Sequence, residues 1–279
     1  MPLKLMYITN KPDIAQMAQG SGIDRIWIDL ERLGKAERQG HMDSVKSHHH
    51  IEDIAIIKPL MNHSELLVRI NPINPKSKDE INRVVENGAD IVMLPMFKTK
   101  DEVQFFIDCI GGRTQTMLLM ETREAVENAD EILSLYGIGE IHIGLNDLHI
   151  AHKMKFMFEL LADGTVERLC EKFKAKGIPY GFGGIARLGW GDLPAEHVIA
   201  EHYRLGSSMA ILSRSFCDVD KVQDPSKVIA IFKSGVDEIR AYEARLEHED
   251  TSFFEHNRVL VCEKVMKIAS DIAGKLISL

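Results

Sequence analysis

The sequence predicts an α/β fold, a (β/α)8 TIM barrel with additional C-terminal helices. Three observations carry this. Eight short runs recur between Leu3 and Leu212, each apolar on both faces and bounded by Gly, Pro, Asp or Asn. Parallel strands covered on both sides read this way. Stretches of helical spacing separate the runs, and strand followed by helix eight times closes into a barrel. The turn after the first run is Thr9-Asn-Lys-Pro12, which lacks the glycines that a doubly wound dinucleotide-binding sheet places there.

The expected strands are Leu3–Ile8, Ile23–Ile28, Leu66–Ile70, Ile91–Leu94, Met117–Met120, Glu140–Ile143, Ile178–Phe182 and Ser208–Leu212. Between the first two, Pro12 to Gln19 starts with a proline suited to a first helical turn and stops at Gly20. Ser77-x-x-Glu80 and Thr99-x-x-Glu102 both read as capping boxes opening helices. Arg123 to Tyr136 and Val166 to Lys176 also show helical spacing. After the eighth run, two more helical patterns extend through Ile229–Tyr242 and Val259–Ile277. These divide the chain into a barrel over residues 1–222 and a helical extension over 223–279, and spare amphipathic helices of this kind often pack on a neighbouring subunit.

Composition narrows the class. A chain of 279 residues that is 45% hydrophobic can bury one large core. A net charge of −8 argues against a nucleic-acid binder. No apolar run approaches the roughly 20 residues of a membrane span, and the start, Met1-Pro-Leu-Lys-Leu-Met, lacks the pattern of a secretory signal. Cys109, Cys170, Cys217 and Cys262 are widely spaced and read as free thiols. A cytoplasmic enzyme is the expectation.

In such a barrel the active site lies at the C-terminal ends of the strands. Carboxylates just past two buried strands are poorly placed for stability, and two occur in succession, Glu121 and Asp147. Two oxygen donors with no Cys or His beside them suit Mg2+ or Mn2+; the competing reading is a pair of helix N-caps. Asp29, Glu31 and Arg32 follow the second strand, Arg69 and Asn71 the third, Asn146 the sixth and Arg187 the seventh. Arg69 can grip a carboxylate or an enolate oxygen through its fork, or neutralise Asp29 or Glu31. Lys35 and Arg38 fit either a substrate site or a solvated face. Within Ser47-His48-His49-His50, three adjacent histidines cannot face one way on a helix, so surface or capping roles suit them better than zinc. Even so, imidazole as a group titrates near neutrality, so His48, His49 or His41 is a candidate general base.

Taken together these segments resemble the HpcH/HpaI aldolase and citrate lyase β-subunit family. The matching motifs are Ile28-Asp-Leu-Glu31, Val68-Arg-Ile-Asn71, Asn87-Gly-Ala-Asp-Ile-Val-Met-Leu-Pro95, Met120-Glu-Thr-Arg-Glu124 and Ile143-Gly-Leu-Asn-Asp-Leu148, with a weaker one at Leu205-Gly-Ser-Ser-Met-Ala. The resemblance implies trimers or hexamers joined through extra C-terminal helices, a divalent metal held by Glu121 and Asp147, and an enolate contacted by Arg69. It also implies a substrate carboxylate met by backbone amides near Gly144. One departure stands out. The family's pyruvate aldolases carry Asp-Gly-Glu-His after the second strand, with the histidine as base, and its thioester lyases carry Asp-Leu-Glu-Asp. Here that last position is Arg32.

The expected function is therefore a metal-dependent carbon–carbon lyase or aldolase acting on a 2-keto acid through a pyruvate-type enolate, with an aldehyde as the second substrate. Asp29, Glu31, Arg69 and His49 are the candidate catalytic residues. Arg32, Lys35, Gly144 and Asn146 are the candidate substrate contacts, the cationic set Arg32, Lys35 and Arg38 suiting an extra anionic group. The alternatives are an acyl-CoA lyase of the citrate or malyl type, and a non-catalytic barrel that acts as a binding protein.

Overall fold

The computed structural model describes residues 2–34, 49–222 and 224–277. Eight parallel strands form a closed barrel in sequence order: β1 (Lys4–Ile8), β2 (Arg25–Asp29), β3 (Glu65–Arg69), β4 (Ile91–Leu94), β5 (Gln115–Met120), β6 (Glu140–Ile143), β7 (Tyr180–Ile185) and β8 (Met209–Leu212). β8 pairs with β1, so no strand edge is left open. The helices, numbered along the described residues, are α1 (Pro12–Gly20), α2 (Glu52–Ile57), α3 (Ser77–Glu86), α4 (Lys100–Ile110), α5 (Arg123–Glu127), α6 (Ala129–Ile132), α7 (Leu145–Ala151), α8 (Glu159–Ala162), α9 (Thr165–Ala175), α10 (Ala195–Leu205), α11 (Pro225–Leu246) and α12 (Thr251–Ile277).

Side chains alternate across each strand. One set, including Leu5, Ile26, Ile28, Leu66, Val68, Val92, Leu118, Ile141 and Ile143, packs outward against the helices. The other, Met6, Trp27, Leu67, Ile91, Met93, Met117, Leu119 and Met209, fills the barrel. Below this inner apolar layer lies a buried ion network. Arg25 is fully enclosed; it donates to Glu140 through both Nη atoms at 2.5 and 2.8 Å and to Glu65 through Nε at 2.8 Å. At β7, Gly181 has no room for a side chain, because a Cβ would stand 2.2 Å from the Met209 carbonyl oxygen.

The two capping motifs diverge. Thr99 and Glu102 form a reciprocal capping box on α4. Ser77 and Glu80 do not: α3 has no side-chain cap, and Glu80 instead accepts from Nδ2 of Asn71 at 2.7 Å. The expected helix over Arg123–Tyr136 is broken at Asn128 into α5 and α6.

Beyond β8, α11 packs against α1 and α10. It buries Val228, Phe232, Val236 and Ile239, and it is tied to the start of β1, where Glu243 accepts from the Leu3 amide at 2.7 Å and Arg240 donates to the Leu3 carbonyl. This is the place of an eighth barrel helix. α12 lies outside that ring, over α8 and α10, where Asn257 bonds the His197 carbonyl and Glu201. No described helix is long and apolar enough to cross a membrane.

Candidate active site

The register of β2 and β3 sets Asp29 directly beside Arg69. Both point into the mouth of the barrel, and the guanidinium closes on the carboxylate, Nε to Oδ1 at 2.8 Å and Nη2 to Oδ2 at 2.9 Å. Glu31 approaches Nη2 at 3.3 Å. The indole of Trp27, one pleat below, lies 5.0 Å beneath the guanidinium carbon, a cation–π floor that fixes the plane of the fork. Burial disfavours the charged form of Arg69, but Asp29, Glu31 and Glu121 outweigh it, so its pKa is raised above the usual arginine value. Arg69 is a permanent cation held among three acids.

Glu121 follows β5, and its register partner past β6 is Gly144, whose amide donates to the Met120 carbonyl at 3.0 Å. A Cβ at Gly144 would stand 2.8 Å from Oε2 of Glu121. The glycine therefore leaves the space that the carboxylate occupies. Oε1 of Glu121 accepts from the amide of Met96 at 3.2 Å, and Met96 adopts a left-handed φ of 54° to present it. A non-glycine residue rarely takes that conformation without local compensation. Neither acid is a helix N-cap. Thr122 caps α5 and Gly144 caps α7, which places Asp147 third in the first turn of α7.

Glu121 thus lies against Gly144, and Asp147 stands three residues further on, in the first turn of α7. Glu121, Asp29 and Glu31 are buried, and Arg69 is the cation that balances them most closely. Carboxylate oxygens such as those of Glu121 and Asp147 favour a hard divalent cation that completes its shell with water or substrate. The residues fit Mg2+ or Mn2+ in that sense. Among the described residues no cluster of three His, Cys, Asp or Glu side chains forms a ready-made cage.

The β2 loop is fastened from two sides. Asn71 accepts from the amides of Arg32 and Leu33 at 2.9 and 3.1 Å. Glu80, its pKa raised by burial, holds Asn71 in turn. Arg32 donates from Nη2 to the His49 carbonyl at 2.8 Å, so its guanidinium braces its own loop. His49 is buried beside Asp29 and accepts from the Asp29 amide through Nδ1 at 3.0 Å. In the neutral ring that bond leaves the proton on Nε2. Asn146 is half-buried next to Asp147. Lys35, Arg38, His41 and His48 lie outside the described residues. A cleft of about 620 Å3 opens beside this loop, with Arg32, His49, Asn71 and Arg83 on its walls.

The structure thus brings Asp29, Glu31, His49 and Arg69 together at β2 and β3, and Glu121 against Gly144 at β5 and β6, with Asp147 in the first turn of α7. Sequence reasoning missed Trp27 and Met96. Trp27 was legible from the two-residue alternation that puts it on the inward face with Asp29. Met96 had no sequence signal, since methionine is no marker of positive φ.

Comparison with known proteins gives the family and the fold. The family model described as HpcH/HpaI aldolase/citrate lyase matches residues 4–159, more than half of the chain. A solved structure titled HpcH/HpaI aldolase, from Desulfitobacterium hafniense DCB-2, superposes with a TM-score of 0.55 at 16% identity, covering 76% of this chain and 86% of its own. An HpcH/HpaI aldolase/citrate lyase family protein from Burkholderia cenocepacia J2315 gives a TM-score of 0.61 at 15% identity, covering 86% and 95%. At such identities these likenesses speak to the fold. No curated protein matches the chain.

Proposed function

The chain belongs to the HpcH/HpaI aldolase/citrate lyase family, and from that premise we propose that it is a divalent-metal-dependent carbon–carbon lyase that forms or cleaves a bond through a pyruvate-type enolate. The observation that carries this reading is the corner at Gly144, where a missing side chain makes room for the buried Glu121 carboxylate, with Asp147 in the first turn of the helix that follows. Glu121 and Asp147 are the residues that would hold a divalent cation there. When bound there, Mg2+ or Mn2+ supplies Lewis acidity toward a keto oxygen.

The chain's own groups account for the rest. Arg69 is charged at any accessible pH and stabilises negative charge as it develops on the enolate oxygen. Asp29 and Glu31 hold the fork and Trp27 fixes its plane, so little reorganisation is needed as the charge appears. Arg32 stands where the relatives' base would be, yet its guanidinium is turned onto the His49 carbonyl. His49 enters with a proton on Nε2, a donor suited to an alkoxide in the bond-forming direction.

Deuterium exchange into the methyl group of pyruvate, with and without Mg2+ or Mn2+, tests the reading. Metal-dependent exchange is the expected result. Exchange that requires an acyl-CoA would point to the thioester lyases, which Asp29-Leu-Glu31 also resembles. Exchange with neither would leave a binding protein.

A further inference from the structure

A second cationic site lies at the mouth of the barrel, away from Arg69. β7 runs into the loop Ala186–Pro194, which carries Arg187 and Trp190. The guanidinium carbon of Arg187 stands 4.5 Å over the Trp190 ring. The loop is fastened by its own backbone: the Trp190 amide donates to the Arg187 carbonyl at 3.0 Å, and the Gly189 amide donates to Glu196 at 3.0 Å. Glu196 is thereby committed to the loop, and among the described residues Arg187 has no carboxylate within ion-pair distance. Its Nε is buried and has no hydrogen-bond acceptor.

A buried donor left unmade costs free energy and calls for an explanation. Other arginines of the upper rim have one: Arg69 is closed on Asp29, and Arg32 on the His49 carbonyl. Arg187 is held in place by an aromatic face while its donors wait, the arrangement that pre-organises a guanidinium for a planar anion. It acts electrostatically on Cys217, which with Arg214 and Tyr7 lines a small cleft of about 100 Å3 at the tops of β8 and β1; the two acids of its wall, Asp218 and Asp220, are paired with Lys221 and Lys11. That is room for one functional group, not a whole substrate. In (β/α)8 barrels the loops after the seventh and eighth strands are a frequent place for phosphate to bind.

We propose that Arg187, stacked on Trp190, binds the terminal carboxylate or phosphate of the substrate that reacts with the enolate. The proposal rests on the lyase reading for the identity of that substrate, but not for the binding of the anion.

Two measurements separate these. Isothermal titration calorimetry with inorganic phosphate, and separately with succinate, is run on the full chain, Arg187→Met and Arg187→Lys. The expected result is that at least one anion binds the parent protein tenfold or more tighter than Arg187→Met, with Arg187→Lys between them. The anion preferred names the terminus. Equal binding by all three, or no binding of either anion by the parent, overturns the proposal. Where the parent exchanges the pyruvate methyl protons, aldol kinetics add a second readout. The ratio of kcat/KM for an acidic aldehyde to that for a neutral one should fall at least tenfold in Arg187→Met, and an unchanged ratio overturns the assignment. If the parent exchanges no protons, the lyase reading falls and the calorimetry alone judges Arg187.

Discussion

Arg69 and Asp29 are register partners on adjacent strands, and the arginine holds both oxygens of the aspartate, at 2.8 and 2.9 Å. A neutralised pair would be a dead end for catalysis if Arg69 met nothing else. Its electrostatic partners, however, extend across the mouth to Glu121, so the guanidinium links the β2–β3 side of the site to the candidate metal corner.

Arg69→Ala should lower metal-dependent pyruvate exchange by about 10²–10³-fold, the cost of losing one preorganised oxyanion donor. It should also destabilise the fold by about 3–5 kcal/mol, because Asp29 and Glu31 stay buried without their cation. Exchange rates and urea midpoints measured on the same preparation check both. An exchange rate within twofold of the parent would remove Arg69 from the reaction.

Gly144→Ala places a Cβ 2.8 Å from Oε2 of Glu121. The carboxylate must move, and Mn2+ affinity should fall about 10–100-fold, the usual effect of disturbing the support of a ligand, while the barrel still folds. Mn2+ titration followed by electron paramagnetic resonance reads the affinity, with Glu121→Gln as the reference loss. Unchanged Mn2+ binding in both variants would place the metal elsewhere.

Two fully enclosed imidazoles, His142 and His202, should make the fold acid-sensitive. Burial lowers His142 from 6.5 to about 4, with its Nε2 at 3.0 Å from the Gly183 carbonyl oxygen. Burial, then the neighbouring His142, lowers His202 to about 3, where it stacks on Phe182. Both are neutral in the fold and charged first in the unfolded chain. Their contribution is complete above about pH 6.5 and declines as pH falls toward the folded pKa values, by up to about 1.4 kcal/mol per pH unit for each ring. Urea midpoints between pH 7 and pH 4.5 should drop in the parent and drop less in His202→Gln. Parallel pH profiles for the two proteins would contradict this.

At the opposite end of the barrel, Glu140→Ala leaves the fully buried Arg25 with Glu65 as its remaining carboxylate and should cost about 3 kcal/mol. Replacing both partners by apolar residues, Arg25→Met with Glu140→Leu, should recover most of that loss. Chemical denaturation of the single and double variants decides it: a double variant as unstable as the single one would mean that the network does more than satisfy its own charges.

Some of this was legible from the chain and some was not. The strands were legible to within three residues at each end, because parallel strands covered on both faces must be continuously apolar and their ends must be polar. The acids Asp29, Glu31, Glu121 and Asp147 and the cation Arg69 were legible as residues out of place at those ends. The two capping motifs show the limit. Thr99-x-x-Glu102 and Ser77-x-x-Glu80 read alike, but Asn71 lies within reach of Glu80 and takes it from the helix cap. Local sequence offers a bond, and a neighbour distant in the chain can outbid it.

What the sequence by itself determined is the parts: eight buried strands, the helices between them, and which polar residues stand at the strand ends. Only the tertiary structure decided the partners. Barrel closure and register set Asp29 against Arg69 and Glu121 against Gly144; the backbone at Met96 turned an amide toward Glu121, and the β7 loop left Arg187 on Trp190 with no acid in ion-pair reach among the described residues. The physical reason is that alternation and polarity are properties of one strand, read every two residues. Pairing depends on which strands become neighbours and at what offset, and that is settled only when the whole barrel closes.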